Sequence, residues 1–155
     1  SEMCIRDSSY SVCDISADCY FEELRQDFEG AYYGMYFLEL ADYCTRENND
    51  EREVLKLLYQ SLRALTVKSI PRRLVRCIYE IRLIVANGEF PGLPQGNFSE
   101  TALYAVEFIA GTPVEKLYTF TLKEEVLAEL VQIAEKYRRD FLPGEFHTLE
   151  ILETL

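Results

Sequence analysis

Apolar residues recur at helical spacing along most of the chain. From position 18 to about 46 they fall every three or four residues, which predicts a first helix. The inward stripe of this helix is expected to consist of Leu24, Phe28, Ala31, Met35 and Leu38. The polar run Asn48-Asn49-Asp50 is expected to end the first helix and to cap the second.

Two further helices follow at similar spacing. The second runs to about Thr66, and its inward positions are Val54, Leu55, Leu58, Leu62 and Leu65. The third begins at Ser69-Ile70-Pro71, where we expect serine to cap the helix and proline to occupy the first turn. Its apolar stripe consists of Leu74, Ile78, Ile81 and Val85. Asn87-Gly88 is expected to end it.

The C-terminal half continues the helical pattern after a loop. Residues 89–97 contain two prolines and two glycines without a period, which is typical of a loop. Ser99 is expected to cap a fourth helix. Two Thr-x-x-Glu segments, at 112–115 and 121–124, predict capping boxes that start a short turn and a long helix. Pro143-Gly144 would end that long helix.

The two ends of the chain complete the predicted architecture. Residues 148–155 are expected to form a last turn that docks on the helices. Residues 10–15 alternate apolar and polar positions, as a short strand does. Residues 1–9 have no period and are interpreted as a non-native or junction segment. We therefore predict an all-α domain of about six helices over residues 18–155, preceded by one short β-strand within residues 10–17.

Charge is unevenly distributed along this sequence. The chain has 16 Lys and Arg against 27 Asp and Glu, a net charge of −11, so as a whole it is expected to repel nucleic acid. Residues 56–82 are the exception, with seven basic residues, one acidic residue and a net charge of +6. The candidate partner-binding or DNA-binding residues of this basic segment are Lys68, Arg72, Arg73, Arg76 and Arg82.

Helical geometry groups three of these arginines. At 3.6 residues per turn, Arg72, Arg73 and Arg76 lie within one arc of the predicted third helix, opposite its apolar stripe. Guanidinium groups bind carboxylates and phosphates through two parallel hydrogen bonds, so this arc is a candidate anion-binding face. The alternative is that the arginines pair within the protein with acidic residues of the flanking segments. The sequence leaves both interpretations open.

Catalysis and metal binding have little support in the sequence. The chain has no recognisable nucleophile, metalloprotease or phosphate-loop motif, and its single histidine, His147, has no obvious partner. The five cysteines lack the paired spacing of a zinc site, and their odd number fits reduced thiols better than disulfides. No apolar run approaches the length of a membrane span. We expect no enzymatic activity, no metal, no cofactor, no membrane partner and a cytoplasmic location.

Several segments, taken in order, resemble a known family. They are residues 18–31, 35–42 (MYFLELAD), 72–83 (RRLVRCIYEIRL), 87–90 (NGEF) and 148–152 (TLEIL). Their succession and spacing are similar to those of RecO, a bacterial family of recombination-mediator proteins. The resemblance implies that residues 18–155 form the helical C-terminal domain of that family. It also implies that residues 10–17 are the last strand of an N-terminal OB-fold, the rest of which is missing.

The resemblance also implies a function and partners. The family acts in DNA repair and homologous recombination without enzymatic activity. It anneals DNA strands and works with RecR and the single-strand-binding protein to load recombinase. The acidic, hydrophobic-ended tail of the single-strand-binding protein is expected to dock on the helical domain, with Arg72, Arg73 and Arg76 as candidate contacts. Contacts with RecR and with single- and double-stranded DNA are expected mainly from the missing OB-fold.

The chain departs from the family in two respects, the missing OB-fold and the absence of a zinc module, and two alternative functions are open. Many members carry a four-cysteine zinc module after the third helix, where this chain has PGLPQGN at 91–97, so no zinc is expected. The chain could instead be a helical protein–protein interaction module that binds an acidic partner helix and is not involved with DNA. A small enzyme with an unrecognised site is the third alternative. A natural start at Met3 would favour the interaction module.

Overall fold

Six α-helices and one 3₁₀ turn account for the regular structure of the residues described. The computed structural model describes residues 27–47, 51–144 and 146–154. The helices are α1 Phe28–Glu47, α2 Glu51–Leu65, α3 Arg72–Ala86, α4 Glu100–Gly111, α5 Glu124–Phe141 and α6 His147–Thr154, with the 3₁₀ turn at Val114–Lys116. The all-α prediction is confirmed across these ranges. The predicted strand at 10–15, the segment 1–9 and the Asn48-Asn49-Asp50 cap lie outside the described residues.

Helix α3 is central to the core. It packs against α1, α2, α4 and α5. Nine of its residues are buried, including Leu74, Ile78 and Ile81 of the predicted stripe. Its Tyr79 ring stacks on Phe37 of α1, with ring centroids 4.2 Å apart. Because α3 packs against these four helices, its backbone sets where the side chains of its remaining surface begin.

Helix α1 buries a different face from the one predicted. Phe28 is 74% exposed and Met35 is 39% exposed, so the stripe that contained them is wrong as an inward face. The buried face consists of Tyr33, Tyr36, Phe37, Leu40, Ala41 and Cys44. Apolar and aromatic residues occur on more than one side of this helix, so spacing matches two stripes. Packing against α2, α3 and α6 selects the second stripe.

The predicted starts of α3 and α4 have different outcomes. Helix α3 begins at Arg72 with Pro71 as its N-cap and no side-chain capping bond, so the predicted cap at Ser69 is wrong. The predicted cap of α4 is confirmed, because Ser99 Oγ accepts a hydrogen bond from the Ala102 N–H. The predicted end of α3 is also confirmed, since Gly88 follows it with φ of +75°, a conformation that favours glycine.

Neither of the two predicted capping boxes forms. The 3₁₀ turn begins after Pro113 and α5 begins after Lys123, both without a side-chain capping bond. Thr121 therefore lies too far ahead of α5 to act as its N-cap. The Thr-x-x-Glu pattern identified the neighbourhood of these two starts but not the residue at which each begins.

The C-terminal segment docks on the bundle, as predicted. Helix α6 packs against α1 and buries Leu149 and Leu152. The Thr148 hydroxyl donates a hydrogen bond to the Glu39 carboxylate of α1. These contacts place the last turn of α6 beside the N-terminal half of α3. None of the helices that the structure describes is both long and apolar enough to cross a membrane.

Candidate docking groove between α1, α3 and α5

Two cavities meet on the free surface of α3. A cavity of about 270 Å³ lies between α3 and α5, and a second of about 390 Å³ lies towards the start of α3. Both are lined by Tyr33, Arg73 and Arg76. We call the two together the arginine groove. Val131 and Ala134 of α5 and Leu152 of α6 supply its remaining apolar walls.

Arg73 and Arg76 occupy the first turns of α3, three residues apart and therefore on one face. Arg73 is exposed and makes no salt bridge with any of the described residues. Arg76 is only one-fifth exposed, because its guanidinium lies over the Tyr36 ring, 5.3 Å from the centroid. Its Nε donates a hydrogen bond of 3.2 Å to Glu80 Oε2. The sequence predicts that Arg72, Arg73 and Arg76 share one exposed face, but of the three only Arg73 is exposed.

Glu80 is a buried carboxylate at the base of the groove. Its Oε2 accepts hydrogen bonds from the Tyr36 hydroxyl at 2.5 Å and from Arg76. Arg138 Nε of α5 lies 3.7 Å away. Burial raises the pKa of Glu80 above its usual value, and the two guanidiniums and the tyrosine hydroxyl oppose that rise. Two cationic side chains therefore share one buried anion.

Arg138 is a groove residue that the sequence analysis missed. Its side chain is 8% exposed, and its NH2 group lies 3.4 Å from the Glu153 carboxylate of α6. Its Nε has no hydrogen-bond partner among the described residues. No sequence signal connects Arg138 with Glu80, because their helices are far apart along the chain. The only hint was its place in the basic end of a long helix.

Arg72 is already engaged within the protein. It lines the 390 Å³ cavity with Arg73 and Arg76, but it forms salt bridges with Asp27 and Glu29 at the start of α1. Its hydrogen bond to Asp27 is the main reason why the pKa of that carboxyl is lowered. Arg72 therefore joins α1 to α3, as the intramolecular interpretation of the basic segment predicted.

The other two candidate cations lie away from the groove. Arg82 donates hydrogen bonds to the carbonyls of Ile109 at 2.9 Å and Thr112 at 2.5 Å, at the C-terminal end of α4. Lys68 is exposed in the turn between α2 and α3 and lines neither cavity. Of the five predicted residues, the structure thus brings together Arg72, Arg73 and Arg76.

The other candidate chemistries find no site in the described part of the chain. No group of His, Cys, Asp and Glu with the geometry to hold a metal occurs within residues 27–47, 51–144 and 146–154. Cys44 and Cys77 are buried free thiols. Burial raises the pKa of the Cys77 thiol, which keeps it protonated and unreactive. His147 is exposed and lies 3.8 Å from the Glu150 carboxylate.

Comparisons with known proteins point to one family. The family model for the C-terminal region of recombination protein O matches residues 25–96, which contain α1, α2 and α3. A DNA repair protein RecO from Acetivibrio thermocellus is 23% identical over 177 aligned positions, which cover 92% of this chain and 69% of that protein. A DNA repair protein RecO from Caldicellulosiruptor saccharolyticus is 29% identical over 86 positions, covering 56% and 35%. No solved structure matches the chain.

The matched region covers the groove unevenly. Residues 25–96 include Tyr33, Arg73, Arg76 and Glu80, whereas Arg138 and the residues of α6 lie beyond its end. The α3 side of the groove thus falls within the family match. The α5 and α6 sides lie outside the family match, so their place in the groove is known from the structure of this chain alone.

Proposed function

We propose, from the premise that this chain is a RecO C-terminal domain protein, that it serves DNA repair and homologous recombination as a cytoplasmic docking component without enzymatic activity. The relatives carry the name DNA repair protein, and the family is a recognised class of non-enzymatic mediators. On this proposal its helices position partners rather than catalyse a reaction. The chemistry to be explained is therefore recognition.

The arginine groove supports an acidic peptide with an apolar end as the docked partner. Arg73 presents an exposed guanidinium, which binds a carboxylate through two parallel hydrogen bonds. Tyr33 and Leu152 form apolar walls within reach of the same cavity. This adjacency of apolar walls and a guanidinium with no salt bridge among the described residues is the observation that carries the proposal. The C-terminal tail of the single-strand-binding protein, acidic and hydrophobic-ended, has the matching chemistry.

The contacts available to such a tail can be ranked. Arg73 is the main contact, because it is exposed and forms no salt bridge with an acidic side chain among the described residues. Arg76 is secondary, since Glu80 already accepts its Nε–H. Arg72 can contribute only by giving up Asp27 or Glu29. Lys68 and Arg82 lie outside the groove and are expected to make no contact with the tail.

The proposal also includes RecR and DNA as partners, but at a different place. In the family pattern, contacts with RecR and with single- and double-stranded DNA are expected mainly from an OB-fold N-terminal to the helices. The net charge of −11 supports this division, because binding to a phosphate backbone depends on many cations. We therefore expect the 155-residue chain to bind DNA weakly.

The test is fluorescence anisotropy of a labelled single-strand-binding protein tail peptide. Arg73→Gln should weaken binding at least about tenfold, because a hydrogen bond to a charged group contributes roughly 1.5–3 kcal/mol. Arg46→Gln is the matched control, since Arg46 is an exposed arginine of α1 that lines neither cavity. Circular dichroism checks that both variants keep their helices.

Two outcomes would overturn the proposed docking. The parent chain and all variants could fail to bind the tail peptide, or Arg73→Gln and Arg46→Gln could bind it equally well. Either result would favour the other function class, a helical interaction module with no role in recombination.

A further inference from the structure

We propose that α6 is a built-in gate of the arginine groove, in which the Glu153 carboxylate occupies Arg138 and competes with the carboxylates of an incoming ligand. This inference rests on the proposed docking function, because it concerns the regulation of the same groove. It assigns a role to a helix outside the region matched by the family model.

Helix α6 borders both cavities with side chains of opposite character. Leu152 lines the cavity at the start of α3. Glu153, the next residue, lines the cavity between α3 and α5 and lies 3.4 Å from Arg138 NH2. The helix thus presents an apolar residue and a carboxylate to the groove, which are the two groups expected of the docked peptide. It resembles that peptide in chemistry while belonging to the same chain.

Glu153 can leave Arg138 without α6 leaving the bundle. The helix is anchored on α1 by buried Leu149 and Leu152 and by the hydrogen bond from Thr148 to Glu39. The Glu153 side chain is 51% exposed, so rotation about its own bonds carries the carboxylate into solvent. The gate therefore consists of one side chain on a fixed helix.

The charges around Arg138 explain why an anion is needed there. Arg76 and Arg138 share Glu80, the one buried acid among the residues that the structure describes, so it cannot fully satisfy both guanidiniums. Arg138 also keeps an Nε–H with no hydrogen-bond partner among the described residues. A buried cation that loses its partner is strongly unfavourable. Glu153 holds this position until a ligand carboxylate replaces it, and the exchange leaves no new unpaired charge.

The gate predicts selectivity for ligands with more than one carboxylate. A ligand with a single carboxylate can bind the exposed Arg73 but leaves Glu153 in place. A ligand with two or more can engage Arg73 and also replace Glu153 at Arg138. The gate thus sets a minimum charge for tight docking, which distinguishes an acidic tail from ordinary apolar peptides.

The experiment compares Glu153→Gln with Glu150→Gln in the tail-peptide anisotropy assay. Both variants remove one negative charge from α6, but Glu150 is highly exposed, lines neither cavity and lies beside His147. Glu153→Gln should tighten binding about 2- to 5-fold, the range of a partly exposed ion pair, and Glu150→Gln should leave it nearly unchanged.

The outcomes of this experiment distinguish failure of the gate from failure of the docking function. If the parent binds through Arg73 and the two α6 variants match it, the gate is refuted and the docking function stands. If both α6 variants tighten binding equally, the effect is one of net charge and the gate is refuted. If neither the parent nor Glu153→Gln binds, both proposals fail. Binding by Glu153→Gln that the parent lacks would support the gate.

Discussion

Three buried tyrosines of one core differ in what their hydroxyl groups contact, and this difference predicts a graded series of stabilities. Tyr36 donates to the buried Glu80 carboxylate at 2.5 Å, and Tyr79 donates to the Phe37 carbonyl at 2.6 Å. The Tyr33 hydroxyl makes no hydrogen bond with the described residues. Replacing each by phenylalanine removes the same oxygen from a site with a charged acceptor, a site with a neutral acceptor and a site with no acceptor among the described residues.

The expected losses follow from the acceptors. Tyr36→Phe should lower the free energy of unfolding by roughly 1.5–3 kcal/mol, because it removes a hydrogen bond to a buried charge. Tyr79→Phe should cost about 0.5–1.5 kcal/mol, the range for a neutral acceptor. Tyr33→Phe should stay within about 0.5 kcal/mol of the parent, as a change without lost contacts does.

Urea unfolding followed by circular dichroism measures this series. With a slope near 2 kcal/mol per molar urea, the midpoint of Tyr36→Phe should fall by roughly 1 M, with the slope itself unchanged. A Tyr36→Phe variant at least as stable as Tyr79→Phe would contradict the stronger hydrogen bond assigned to the Glu80 acceptor. An equal loss of stability in Tyr33→Phe and Tyr36→Phe would also contradict it, since the loss would then come from the oxygen's volume and not from its hydrogen bond.

Two further predictions concern arginines that the structure places in internal contacts. Arg82→Met should cost about 1–3 kcal/mol and speed amide exchange at the end of α4, because the Ile109 and Thr112 carbonyls lose their donor; unchanged exchange would contradict this role. The hydrogen bond from Arg72 is the main reason why the pKa of Asp27 lies below its usual value of 3.8. The ionised carboxylate therefore stabilises the fold fully above pH 3.8, and this stabilisation is lost as the pH falls through the lowered pKa. Asp27→Asn should therefore cost about 0.5–1 kcal/mol at pH 7, discounted for the exposure of Asp27, and less near pH 2; a gap that stays constant with pH would count against the ion pair.

The fold could be predicted wherever one face of a helix is clearly apolar. Every predicted inward position of α2 is buried, because its polar and apolar residues are sharply segregated. In α1 the segregation is weak, and Phe28 satisfied the helical period as well as Tyr36 did. Only contacts with α2, α3 and α6 distinguish these two faces, and such contacts are not encoded in local spacing.

The part of the candidate site that lies on a single helix could be predicted from spacing. The spacing of Arg73 and Arg76 identified one wall of the groove, since both belong to one helix. The opposite wall comes from Arg138 of α5 and Glu153 of α6, whose proximity to α3 depends on the packing of separate helices. The cavity itself exists only after that packing.

The packing also changes what the basic segment can bind. A net charge of +6 over residues 56–82 indicates a surface for polyanions. However, Arg72 pairs with Asp27, Arg82 donates to the Thr112 carbonyl, and Arg76 pairs with Glu80. Tight binding to a DNA backbone requires many phosphate contacts at once. A peptide carboxylate requires one guanidinium in the right orientation. Within the arginine groove, Arg73 is the exposed arginine and lies beside Tyr33 and Leu152. We therefore expect the groove to suit a short acidic peptide better than a nucleic acid.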